Sequence, residues 1–141
     1  MTYKEINAAI MVFSAVLVSL WVLVFVTTSP DQTLATLATS LCWAILASIV
    51  INMVAAIAVS IVTSAMQRRA LKDERADERD WAIQAKAMRN AYFIASLSGL
   101  AALIVWATGN DLATGIYVLF FGLMLAGAAD AASRLVYYRI G

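Results

Sequence analysis

Residues 72–92 read KDERADERDWAIQAKAMRNAY, and apolar sequence lies on both sides of them. The chain has nineteen charged side chains, and twelve of them fall between Gln67 and Asn90. Elsewhere the sequence is strongly apolar: 63% of its residues are hydrophobic and 13% are charged. Soluble chains run near half apolar and a quarter charged, so this composition points to a bilayer. Working outward from the charged stretch, four runs are long enough to cross about 30 Å of hydrocarbon as helices. They cover 6–27, 34–66, 91–108 and 112–133. Their hydrophobicity is continuous rather than alternating, which excludes barrel strands. The expected fold is therefore all-α. It is an integral membrane four-helix bundle, up-down-up-down, in a single domain of 1–141, with a cytoplasmic helical hairpin over 67–90.

The first apolar run, Ile6 to Val26, is too long for the apolar core of a signal peptide and reads as an uncleaved span. Thr2 and Glu5 stand at capping-box spacing before it. Ser29, Pro30 and Gln32 suggest a cap, a first helical position and a box residue for the second helix. That reading starts the second helix early and makes it about 36 residues, roughly 54 Å. Gly109 reads as a C-terminal glycine, and Asn110 or Asp111 as the cap of the fourth helix.

All ten Lys and Arg lie on one side of this layout: Lys4, seven within 67–90, and Arg134 and Arg139. The connections at 29–33 and 109–111 have none. The positive-inside rule places both termini and the charged segment in the cytoplasm, with the chain in a bacterial inner membrane. Tyr3, Tyr92, Tyr137 and Tyr138 mark the inner boundary; Trp106 and Tyr117 mark the outer one, with Trp21 and Trp43 as further outer anchors. INAAI and RNAYF open the first and third spans, and TLAT and DLAT follow the two outer connections. These echoes fit either a parallel duplication or chance recurrence of short apolar words.

Segment 67–90 lacks Gly and Pro and favours helix. Asp77 suits an N-cap, with Glu78 and Asp80 in the turn that follows. The second helix is expected to continue to about Arg75, turn near Ala76, and give way to a third helix starting near Glu78. On a helical wheel Arg68, Lys72, Arg75, Arg79 and Lys86 share one face, opposite Asp73, Asp77 and Asp80. The segment is either a self-paired, solvated hairpin or a docking surface for a partner protein or anionic lipid. Its expected partner-binding residues are Arg75, Asp77, Glu78, Arg79, Asp80, Lys86 and Arg89.

The stretch from Asp77 to Tyr92 resembles a pattern in small prokaryotic four-span membrane proteins of unassigned activity: D-E-R-D, two residues, I, then a basic or small stretch ending R-x-x-Y. Asp77, Glu78, Arg79, Asp80, Ile83, Arg89 and Tyr92 match it. The resemblance covers about sixteen residues and the four-span layout. Members are often encoded beside small helix-turn-helix regulators, so it implies a regulatory link. Here D-E-R is doubled, at 73–75 and 77–79, which departs from the pattern. Small multidrug transporters share the four-span size but carry an acidic residue deep in the first span; here Glu5 stands at its edge and no charge follows.

Chemistry-bearing residues are few. The chain has no histidine and one cysteine, Cys42, read as a small hydrophobe. No intrachain disulfide or thiolate cluster can form, and nothing invites a cofactor, a metal or general acid–base work. Asn52, Asp130 and Arg134 are the intramembrane polar residues. Asp130 and Arg134 stand at i,i+4 and can pair, and Asn52 suits a helix–helix bond. Small residues recur at Gly115, Gly122, Ala126, Ala129 and Ser133, and a second strip at Ala91, Ala95, Ser98 and Ala102. The strips either pack on each other within one chain or support a homodimer through the fourth helix. The expected function is a non-enzymatic accessory or regulatory membrane protein, with membrane lipid, a protein partner or a second copy as partners and no direct nucleic-acid contact. The alternatives are an oligomeric small transporter or channel lined by Asn52 and Asp130, and a structural subunit of a larger membrane complex.

Overall fold

The computed structural model describes residues 3–29, 33–67 and 78–140. They form four α-helices: α1 (Tyr3–Thr28), α2 (Leu34–Gln67), α3 (Glu78–Ala107) and α4 (Leu112–Ile140). There is no strand among the described residues. All four helices are long and apolar enough to cross a membrane. At 34 residues α2 is about 51 Å long, well beyond a hydrocarbon core of about 30 Å.

The helix ends show why these boundaries fall where they do. α2 starts later than the Ser29–Pro30 punctuation suggests. The Ser29 amide donates to the Phe25 carbonyl at 3.2 Å, so Ser29 completes the last turn of α1. Thr33 is the cap instead: its hydroxyl oxygen accepts from the Thr36 amide at 3.3 Å. The described part of α3 begins at Glu78, with Glu78 and Asp80 in its first turn, where acidic side chains suit a helix N-terminus. Asp77 and the expected turn near Ala76 lie outside the described residues. α3 ends in a Schellman arrangement. Gly109 has φ +81°, its amide donates to the Trp106 carbonyl at 3.1 Å, and the Asn110 amide reaches the Val105 carbonyl at 3.3 Å. Asp111 accepts from the Thr114 hydroxyl at the start of α4. α4 continues past the expected end at Ser133 to Ile140, because nothing from Arg134 to Ile140 breaks a helix.

Packing is uneven around the bundle. α4 lies between α3 and α1, and α2 packs on the far side of α1, touching α4 slightly; among the described residues α3 packs against neither α1 nor α2. One buried cluster joins three helices: Val18 and Val22 of α1, Leu37, Leu41 and Ala44 of α2, and Phe120 of α4. The bundle is thus open between α2 and α3. In lipid, apolar surface alone does not draw helices together, and α2 is apolar almost all round. Close packing goes where small residues permit it.

The α3–α4 seam is that place. Ser98 and Ala102 of α3 and Gly115 and Ala126 of α4 are buried. A Cβ added at Gly122 would overlap the Ser98 Cβ, and one added at Gly115 would overlap the Trp106 indole. The two small-residue strips therefore meet within one chain. A dimer through the same positions of α4 would have to displace α3.

Candidate functional site

The charged end of α3 is held by apolar contact and by amide bonds. Ile83 and Ala87 are buried on its inner face. One helical turn after Ala87, the Asn90 amide donates to the Ser133 hydroxyl at 3.1 Å and to the Tyr137 hydroxyl at 3.2 Å. These bonds join α3 to the last turns of α4. The early turns of α3 are thereby anchored on α4.

Arg79, Lys86 and Arg89 project outward from this anchored stretch and are exposed, as is Glu78, while Asp80 is half-buried. The structure keeps Arg79 and Lys86 on one stripe, as the wheel requires. They flank a cleft of ≈ 280 Å³ between the start of α3 and the end of α4, lined also by Ala82, Ile83, Tyr137 and Ile140. Arg89 is not among its lining residues. Arg75 and Asp77 lie outside the described residues.

The polar residues expected within the membrane have partners within the chain. Ser14, 2% exposed, donates to the Asn52 side-chain oxygen at 3.0 Å, and the Asn52 amide donates to the Ser48 carbonyl at 2.8 Å. Asn52 is thus a bolt between α2 and α1. Asp130 and Arg134 form the expected ion pair at 2.6 Å. Each keeps one buried atom without a hydrogen-bond partner among the described residues, Oδ1 of Asp130 and Nε of Arg134. Cys42 is a free, exposed thiol on α2. At the opposite end of the α3–α4 seam, the Trp106 indole donates to the Leu112 carbonyl at 3.3 Å.

Two residues that matter were not singled out from sequence. Asn90 sits inside the charged segment and reads there as one more polar residue. Ser14 reads as a small break in an apolar run. Only their pairing across helices, with Ser133 and Tyr137 and with Asn52, reveals their roles.

No family model matches the chain, and no curated protein or solved structure is similar to it beyond chance.

Proposed function

We propose that this chain is a multi-pass protein of the bacterial inner membrane. Its helices run up-down-up-down, both termini and the segment 67–90 lie in the cytoplasm, and α2 and α3 extend there as a helical hairpin. It acts as a non-enzymatic accessory or regulatory protein, and the charged end of α3 is its interaction surface. One observation carries this reading. The first turns of α3 are anchored on α4 by Ile83, Ala87 and Asn90, yet Arg79, Lys86 and Arg89 are exposed. A rigid, exposed, charged surface beside a membrane span suits docking better than a solvated tether does.

Three further observations support it. The ten basic residues cluster at this end and none lies in the 29–33 and 109–111 connections. Ser14 with Asn52 and Asn90 with Ser133 are contacts at staggered positions that fit alternating helix directions. Asn52 and Asp130 are already engaged within the chain, which argues against their lining a transport path. The D-E-R-D resemblance adds an implied regulatory link.

The test is co-purification from mild detergent. Arg79→Glu with Lys86→Glu should abolish recovery of the partner while membrane insertion persists. Undiminished recovery would reduce the surface to a solvated face.

A further inference from the structure

Arg79, Ile83 and Lys86 stand at i, i+4 and i+7 on α3 and so share one stripe. Ile83 is buried and the two cations on either side of it are exposed. The cleft they border with Ala82, Tyr137 and Ile140 has apolar, phenolic and cationic walls and no carboxylate among the described residues that line it. Neither Arg79 nor Lys86 makes an ion pair among the described residues. Two exposed cations beside an apolar groove are complementary to an amphiphile with an anionic head.

Depth selects the kind of amphiphile. The apolar stretch of α3 begins at Ala91, and Lys86 precedes it by about 7.5 Å at 1.5 Å per residue. The polar layer on each side of the hydrocarbon is about 5–7 Å thick. Lys86 therefore stands at the outer edge of the headgroup layer, with Tyr137 nearer the hydrocarbon beside Asn90; Arg79 is about 10 Å further out, and its long stem can reach back toward that layer.

We propose that this cleft is a binding site for an anionic phospholipid, with the phosphate beside Lys86 and within reach of Arg79, and the glycerol region deeper, against Tyr137. The proposal rests on the membrane placement given above. It requires no protein partner, and a lipid bound here would form part of the surface that docking uses.

Native mass spectrometry of the full-length chain in mild detergent tests it, with dioleoyl phosphatidylglycerol and dioleoyl phosphatidylcholine added in parallel. The wild type should retain phosphatidylglycerol at least about tenfold more tightly, since each cation beside an anionic headgroup contributes about fivefold. Arg79→Gln with Lys86→Gln should remove that preference. Arg139→Gln removes an exposed cation from the same end of the protein but outside the cleft, and should leave it within about twofold. Equal retention of the two lipids would overturn the proposal, as would an equal loss in Arg139→Gln, which would make the effect one of general surface charge. Displacement of the lipid by equimolar glycerol phosphate would assign the cleft to a soluble anion and overturn it too. Membrane fractionation of the same chain separates the two readings. Recovery with membranes but no lipid preference sinks the lipid site alone; recovery in the soluble fraction sinks the membrane placement with it.

Discussion

Gly122→Ala tests the packing that organises the fold. The added methyl would overlap the Ser98 Cβ, and the Ser98 Cα lies 3.3 Å from its position. No rotation relieves the clash, because a methyl has no rotamers and one of the opposing atoms is backbone. Carbon atoms rest at about 3.5–4.0 Å, and a gap of 0.5–1 Å already forfeits roughly a quarter to a half of a contact's attraction. α3 must back away along the seam, at a cost of about 1–3 kcal/mol. Gly99 and Gly127 have nothing within 4 Å of their added Cβ positions. At those sites alanine brings only its better helix propensity, up to about 1 kcal/mol. Gly122→Ala should therefore be less stable than Gly127→Ala by about 1–3 kcal/mol, a factor of roughly 5 to 150 in the unfolding constant. Reversible unfolding in mixed micelles by titrated dodecyl sulfate, followed by circular dichroism, measures the difference. Adding Ser98→Gly to Gly122→Ala should recover part of the loss, and Gly122→Leu should be worse than alanine. Coincident unfolding of Gly122→Ala and Gly127→Ala would refute the argument. In a Cys42→Ala background, Ser98→Cys with Gly122→Cys should crosslink within one chain, and Gly122→Cys alone should give no disulfide dimer. A dimer from the single cysteine would place α4 against a second copy.

The basic asymmetry predicts that, in a Cys42→Ala background, Asn110→Cys labels with an impermeant maleimide on intact cells and Gln84→Cys labels only after permeabilisation; the opposite pattern would invert the topology. The ion pair of α4 predicts that Asp130→Ala destabilises more than Asp130→Ala with Arg134→Ala, because the single change leaves a half-buried guanidinium unpaired. A double-mutant cycle in the same unfolding assay measures this, and simple additivity would show that the pair contributes nothing.

Much of the secondary structure was legible along the chain, because its determinants are local. Four continuous apolar runs of spanning length, the left-handed glycine at 109 and the acidic turn at 78–80 each act within a few residues of themselves. The same holds for the Asp130–Arg134 pair, which one helical turn brings together. The start of α2 is the local signal that misled: Ser29 and Thr33 are both good caps, and the last turn of α1 claims Ser29 through its bond to Phe25. The proposed interaction surface shows in the sequence as composition, a block of charge in an apolar chain, but not as shape.

Tertiary structure decided the rest. The sequence left two partners for the small-residue strips, and only packing selects Ser98 against Gly122 within the chain. Nothing local says that Asn90 will find Ser133 and Tyr137, 43 and 47 residues away, or that Ser14 will find Asn52 at a separation of 38. An apolar helix in lipid has no periodic stripe to declare which face is covered, since hydrocarbon tails and leucines are alike to it. Helix pairing is then set by where backbones can approach and where a few amides and hydroxyls meet, and those are properties of two surfaces at once. For that reason the number of long apolar helices can be read from the chain, while the open gap between α2 and α3 and the cleft at Arg79 and Lys86 exist only in the folded protein.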